Sequence, residues 1–430
     1  VEPDGIEGLL ARTHVVVRPE HLRAASRYRV PVEVVATARG EPERVARALA
    51  LAENRDLWAL AGKMEKRVEI LGRAARLDAL DERSVVVVFP SGARVVVPWD
   101  GGPEEALDYF ADYVLVDAVR DGKRWKAVGV KRVAASVDRG AAEEAARWME
   151  ERGYTPGWFH AAALALNYRP VFPEWFAYDL LARILPAVNH RVHAGLYTVP
   201  GTGKTHTAMV YRHALGWAYY PKPPTPASLV GDARTGRATG VRASGLWFDE
   251  TDKWARAENR EKLAQAIEIL LTGLENCEWV REAGGEKAVR VSKCLPAVFA
   301  GNVGLMAASA VPREVLRGFV EPVGEGAADA FESRIAVVVV DVARDAARAA
   351  EWGVEGMAPR RGFVAGVFAV LRDRLAELGG PVERGERRRR HVENVRRAAA
   401  ALGFSAASEL AEQLTAGVRV TGEGVVEVAG

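Results

Sequence analysis

The sequence predicts an α/β protein whose core is a parallel sheet, preceded by a smaller α+β domain. Three observations carry this. After about residue 156, short apolar runs alternate with longer helical stretches, as a parallel sheet with crossover helices requires. One of those runs, Ala194–Tyr197, passes directly into a glycine-rich turn and then a helical stretch. Before residue 136 the pattern is instead one of alternating runs joined by tight turns, which predicts antiparallel hairpins.

The elements follow in order. Residues 41–80 read as amphipathic helix, and Ser84–Pro98 reads as two short strands around Ser91-Gly92. Tyr113–Val119 and Arg124–Val133 alternate and are joined by Asp121-Gly122, a strong hairpin signal. Asp138–Arg152 is a helix rich in Ala, Glu and Arg, broken at Gly153–Pro156. With 430 residues, 49% hydrophobic and 27% charged, the chain can form two or three domains. The apolar runs, such as Ala336–Val340, fall short of the roughly 20 residues a membrane span needs. The start Val-Glu-Pro-Asp is unlike a secretory signal, so a soluble cytoplasmic protein without a membrane partner is expected. A net charge of +2 does not imply nucleic acid by itself, and two cysteines exclude a Cys-rich zinc module. Glutamine occurs only at Gln265 and Gln413, which suits a heat-adapted source.

The candidate chemistry begins at residues 195–208, GLYTVPGTGKTHTA. Gly203, Lys204 and Thr205 match the phosphate-loop pattern, with Thr198 where its first glycine belongs. The loop Pro200-Gly201-Thr202-Gly203-Lys204-Thr205-His206 lies between strand and helix. Its backbone N–H groups would cradle phosphate, Lys204 would reach the β and γ oxygens, and the Thr205 hydroxyl would hold Mg²⁺. Glycine at position 198 would ease the turn and bind nothing, so threonine fits if its φ is negative. A second apolar run, Leu246-Trp247-Phe248, delivers Asp249 and Glu250 at a strand end, where ligands of an open parallel sheet sit. Asp249 would fix Mg²⁺ through water and Glu250 would polarise the attacking water, with ATP as the nucleotide.

Pro-Gly-Thr-Gly-Lys-Thr is the AAA+ form of the loop, and Phe248-Asp249-Glu250-Thr251-Asp252-Lys253-Trp254 resembles the Ile-Asp-Glu-Phe-Asp-Lys-Met segment of minichromosome maintenance (MCM) helicases. LTGLENCEWVREAG is similar to the family's helix entering a hairpin before sensor 1. PAVFAGN delivers Asn302 as sensor 1 does, FESRIAVVVVDVARD resembles the Ser-Arg-Phe-Asp stretch, and Arg390-His391-Val392-Glu393 stands where sensor 2 would. The resemblance covers about residues 190–400. It implies an AAA+ αβα core (171–345) and a helical lid with a short C-terminal extension (346–430), after an N-terminal α+β domain (1–136) and a helical linker (137–170). It also implies that Asn302 orients the lytic water and that Arg334 reaches a neighbouring subunit's γ-phosphate as an arginine finger. Arg390 would touch the same phosphate, and a hexameric ring follows. Each residue has a plainer reading: a turn for Asn302, a surface charge for Arg334, a solvated or disordered charge run, RGERRRR, ending at Arg390. The departures are Thr198, Ile335-Ala336 for Phe-Asp, no Cys-x-x-C zinc element, a shortened segment before Asp249, and room beyond Phe404 only for a helix and the hairpin Val418–Val428, a trimmed winged helix. The Lon-like ATPase of phage-defence BREX systems is a similar clade member.

A nucleic acid is expected on the segment Cys277–Cys294. Folded about Gly285-Glu286, it would place Arg281 opposite Arg290 and Trp279 opposite Ser292 on one side, with Val280, Val289 and Val291 on the other; Lys287 is a further candidate on the same hairpin. Like charges so placed are unfavourable without an anion between them, which a phosphate backbone threading the ring pore would supply, with Trp279 stacked on a base; the plainer reading is a solvated hairpin whose arginines pair with Glu278 or Glu282. The same register sets Cys277 opposite Cys294, as a disulfide or as two thiols. Lys123, Arg124, Lys126, Lys131 and Arg132 form a second basic feature, read either as a ribbon that tracks DNA or as an ordinary exposed basic strand. His190-Arg-Val-His193 reads as an ordinary loop. The function expected is a ring-forming AAA+ ATPase that translocates or unwinds DNA. The alternatives are a protein-remodelling or phage-defence ATPase, and a nucleotide-gated DNA-binding ring with little hydrolysis.

Overall fold

A computed structural model describes residues 5–38, 40–100, 105–106, 109–110, 112–134, 137–231, 240–241, 243–254, 260–283, 287–303, 311–343, 351–421 and 424–429. One compact unit gathers Val1–Ala141 and Gly356–Gly366, the other Ala142–Glu355 and Val367–Gly430. Among the described residues no helix is long and apolar enough to cross a membrane.

The first unit begins with α1 (Ile6–Thr13), β1 (His14–Val16), α2 (Pro19–Tyr28), α3 (Val32–Thr37), α4 (Pro42–Glu53) and α5 (Arg55–Met64). Strands β2 (Arg67–Gly72), β3 (Arg76–Asp81), β4 (Ser84–Val88), β5 (Arg94–Pro98), β6 (Tyr113–Asp121) and β7 (Arg124–Ala134) follow. They form one sheet in the order β2-β6-β7-β5-β4-β3. The single helix expected over 41–80 is not found. Asn54 ends α4 and caps α5 through its side chain, which accepts from the N–H groups of Asp56 and Leu57. Beyond it Val68, Ile70 and Leu71 turn inward and pair with β6. The later segment Met357–Pro359 returns to pair with β1, and the Arg361 N–H donates to the buried Glu33 carboxylate at 3.1 Å.

The second unit continues with α6 (Arg139–Glu151), α7 (Gly157–Ala165), α8 (Phe176–Val188), β8 (His193–Thr198), α9 (Lys204–Val210), β9 (Ala218–Tyr220), α10 (Pro226–Leu229), β10 (Leu246–Phe248) and α11 (Arg260–Asn276). After these come β11 (Glu278–Ala283), β12 (Lys287–Ser292), β13 (Ala297–Asn302), α12 (Pro312–Gly318), α13 (Glu325–Glu332) and β14 (Val337–Asp341). Beyond Met357–Pro359, which is β15, lie α14 (Arg361–Glu377), α15 (Arg387–Ala401), α16 (Ala407–Ala416), β16 (Val418–Val420) and β17 (Val426–Val428). The central sheet runs β17-β16-β14-β8-β13-β10-β9, and every pairing from β16 to β9 is parallel. β8, β10 and β14 are buried along their whole length, which is why they read as unbroken apolar runs. The last hairpin is not a trimmed winged helix. β16 pairs in parallel with β14 and β17 closes that edge antiparallel, so backbone pairing with the core claims the segment.

The β11–β12 hairpin is shifted by one residue from the expected register. Ala283 pairs with Lys287, so three residues rather than two separate the strands, and Val280 faces Arg290 while Arg281 faces Val289. A slip of one residue exchanges the faces of a strand. Arg281 and Arg290 therefore point to opposite sides, and Trp279 pairs with Val291 rather than Ser292. Trp279 is fully buried: its Nε1 donates to the Lys293 carbonyl at 2.7 Å and its ring lies where a Cβ on Gly273 would come within 2.4 Å. Cys277 and Cys294 are joined by a disulfide although they are not directly opposed; Cys277 has φ +59°, and its carbonyl accepts from the N–H of Lys293.

Candidate active site

The glycine-rich loop leaves β8, and α9 begins at Lys204. Thr198 ends β8 as ordinary strand, absent from the non-glycine residues with positive φ, so glycine is not required there. Its hydroxyl is 2.7 Å from the Thr202 hydroxyl, and the Lys204 ammonium donates to it at 2.6 Å. Gly203 is where glycine is obligatory: φ is +80°, and a Cβ would fall 2.4 Å from the Tyr168 hydroxyl. Lys204 is buried, and its pKa is pushed down to about 8, first by that burial and then by the charge of Arg183. Pro200, Gly201, Thr205 and His206 lie exposed around it.

Strand β10 brings the acidic pair to the same end of the sheet. The Thr205 hydroxyl donates to Asp249 Oδ2 at 2.8 Å, and the Tyr219 hydroxyl donates to the same oxygen at 3.0 Å. Hydroxyl and carboxylate oxygens are the donor set a hard divalent cation takes, so Thr205 and Asp249 fit Mg²⁺. Glu250 is held at φ +51°, at a cost on the order of 1–3 kcal/mol for a non-glycine residue. Its N–H donates to Asp249 Oδ1 at 3.0 Å, and the Lys253 ammonium lies 2.5 Å from its carboxylate. Asn302 ends β13, between β8 and β10, where it pairs with Thr198, and its N–H donates to Asp252 at 2.8 Å.

Arg334 and Arg390 stand together, away from this loop. Both meet Glu275, with Arg390 Nη2 at 2.6 Å from Oε1 and Arg334 Nε at 3.7 Å from Oε2. Arg334 precedes β14 and Arg191, also beside Glu275, precedes β8, so the group sits at the N-terminal edge of the sheet.

Sequence reasoning missed several residues. Arg183, fully buried on α8, pairs with Asp179 at 2.5 Å, donates to the Tyr168 hydroxyl and Thr207, and donates to the Thr202 carbonyl at 2.9 Å. A charged i, i+4 pair inside an apolar helix was the available signal. Asp341, at the end of β14 beside Thr198, is buried and its pKa is pushed up to about 7, by burial first and by Asp179 second. Tyr219 carried no sequence signal.

The basic ribbon of β6 and β7 exposes Lys123, Arg124 and Lys126; Lys126 pairs with Asp121 at 2.5 Å, and Arg132 pairs with Asp112 at 2.9 Å. In the second hairpin Arg290 is exposed, Arg281 donates to the Gly231 carbonyl at 2.6 Å, and the side chain of Lys287 lies outside those described. His190 and His193 do not converge: buried His193 lies 3.2 Å from the Leu274 carbonyl, and His190 faces Glu383. Cys294 lies near His190 and Glu383, but its sulfur is committed to the disulfide.

Together these features define a mixed α/β protein with a phosphate-type loop after a central parallel strand and a carboxylate-bearing strand two places away. No protein-family model matches the chain. The chain is similar to Uncharacterized protein 440 of Sulfolobus islandicus rod-shaped virus 1, 42% identical over 104 residues, 24% of each chain. It is similar to Uncharacterized protein ORF426 of Acidianus filamentous virus 1, 35% identical over 119 residues, 27% of this chain and 26% of that one. These two matches span about a quarter of the relatives' lengths. Uncharacterized protein ORF425 of Acidianus filamentous virus 2 is 26% identical over 346 residues, 73% of this chain and 78% of that protein. Among solved structures, a full-length MCM homolog from Methanopyrus kandleri covers 91% of this chain and 98% of its own, with TM-score 0.39 and 13% identity. A likeness that loose assigns neither fold nor activity.

Proposed function

We propose that the chain is an AAA+ type ATPase that binds ATP with Mg²⁺, assembles into a ring through a repeated head-to-tail contact, and couples hydrolysis to work on DNA. The observation that carries the nucleotide site is the 2.8 Å bond from Thr205 to Asp249, which unites loop and acidic strand. In this reading Lys204 and the loop N–H groups hold the triphosphate, and Thr205 and Asp249 hold the cation. The cation would neutralise charge on the phosphates. Glu250 and Asn302 orient the attacking water. Pro200–His206 and Arg334 with Arg390 lie at opposite ends of the sheet, which favours arginines supplied by a neighbouring copy, and such an interface closes into a ring or runs on as a filament.

DNA as the substrate draws on the exposed Lys123, Arg124 and Lys126 ribbon. The pore-hairpin contribution is weaker than the sequence led one to expect, because Trp279 is buried and Arg281 and Arg290 diverge. That observation favours a second reading, a remodelling ATPase whose substrate is a protein. ATP turnover with and without single- and double-stranded DNA separates them. Stimulation that weakens with salt supports DNA, and turnover indifferent to DNA at low salt removes it.

A further inference from the structure

Glu275, next to the end of α11, gathers arginines from three segments of the chain. Arg390 Nη2 lies 2.6 Å from its carboxylate, Arg387 Nη2 3.1 Å and Arg334 Nε 3.7 Å, while Arg191 Nη1 donates to its backbone carbonyl at 3.0 Å. Arg191 is matched by a carboxylate of its own, Glu383. Among the described residues, the guanidinium groups of Arg334, Arg387 and Arg390 share the single carboxylate of Glu275, leaving two positive charges uncompensated within this group. Two of them are also fixed in direction: Arg334 Nε donates to the Leu271 carbonyl at 2.8 Å, and Arg387 Nη1 to the Ser333 hydroxyl at 2.6 Å. The side chains are not sealed off, with Arg387 39% exposed and Glu275 18%.

We propose that Glu275 is an internal stand-in for phosphate: Arg334, Arg387 and Arg390 form one anion-receiving site for the terminal phosphate of a nucleoside triphosphate held by a second copy of this chain, and the Glu275 carboxylate is the counterion that phosphate displaces. This rests on the ATPase reading and adds Arg387 and Glu275 to it. Two surplus positive charges match a phosphate dianion, and forked guanidinium donors suit its oxygens. The chain's own nucleotide does not reach the site. β8 runs from Arg191's neighbourhood to the glycine-rich loop, and a strand of that length sets the two on the order of 15–20 Å apart. Until a neighbour arrives, Glu275 keeps the arginines ordered and partly neutralised. It also competes with the incoming phosphate, which makes turnover depend more steeply on assembly.

The test compares full-length wild type with Glu275→Gln and Arg387→Ala. ATP turnover is followed against protein concentration, and sedimentation is run with a non-hydrolysable ATP analogue. Glu275→Gln is expected to reach half-maximal turnover and assembly at roughly 5-fold lower protein concentration or less, the low end of typical coupling between sites. Arg387→Ala is expected to lower turnover without changing binding of the analogue to the isolated subunit. An unchanged or higher concentration requirement for Glu275→Gln, or wild-type turnover in Arg387→Ala, overturns the proposal. If Glu275→Gln melts well below wild type, Glu275→Asp, which keeps the charge but shortens its reach, is used and is expected to shift in the same direction; no shift overturns the proposal. A wild type without turnover defeats the ATPase reading instead, and assembly with the analogue still reads the exchange.

Discussion

The two ends of the central sheet carry opposite chemistry. At the C-terminal end of the strands, the charges of Asp249 and Asp341 act on buried Lys204, Glu250 follows Asp249, and hydroxyls of Thr198, Thr202, Thr205 and Tyr219 complete the bonding. At the N-terminal end, Arg334, Arg387 and Arg390 share one carboxylate. In the proposed reading the first end holds a polyphosphate and a cation; Arg183, which donates to the Thr202 carbonyl of the loop, is committed to Asp179. The second has surplus guanidinium groups and no loop. The contrast supports the proposal that each end holds part of a phosphoryl-transfer site, which two copies set head to tail would complete.

The comparison breaks most visibly at Arg334. Arg334→Ala is expected to lower ATP turnover by about 10³–10⁵ while leaving nucleotide binding to the separate subunit unchanged, as equilibrium binding of a fluorescent analogue would report. Glu250→Gln, at the other end, is expected to cost about 10²–10⁴ in turnover with binding retained. Retained turnover there would mean that the left-handed Glu250 does not act on the water.

Two smaller effects sharpen the picture away from the reacting groups. Reducing the Cys277–Cys294 disulfide, which closes a sequence separation of 17, is expected to cost about 3 kcal/mol, read as a lower melting temperature with reductant. Asp341 provides a pH signature. Its folded pKa is raised from 3.8 to about 7, so the stability it contributes is fully present below pH 3.8 and is lost as pH rises through about 7. Asp341→Asn is therefore expected to gain on wild type by on the order of 2–3 kcal/mol between pH 5 and pH 8, seen in melting curves. A constant difference across that range would mean that Asp341 ionises normally beside Lys204.

What could be read in advance follows how local each feature is. Pro200–Thr205 is contiguous, and its flanking strand and helix are visible as an apolar run and an amphipathic stretch. β8, β10, β13 and β14 are apolar because both faces are covered. Features set by distant partners stayed hidden. The β16 pairing with β14 joins segments nearly eighty positions apart, so the sequence alone reads the last hairpin as a separate appendage. The β11–β12 register turned on one residue in the connection, and with it the fate of Trp279 and the relation of Arg281 to Arg290. Residues 41–80 mixed helical and strand periodicity, and only pairing with β6 decides in favour of β2. Glu275 gave no sign at all, since its partners lie at positions 191, 334, 387 and 390.

The central claim, that the two ends complete each other between copies, is tested most directly by mixing Lys204→Ala with Arg334→Ala. The first variant lacks a working loop but keeps its arginines; the second keeps its loop but lacks the finger. The account predicts that each alone is nearly inactive and that the mixture regains a substantial fraction of wild-type turnover. A mixture no more active than the sum of its parts would contradict it.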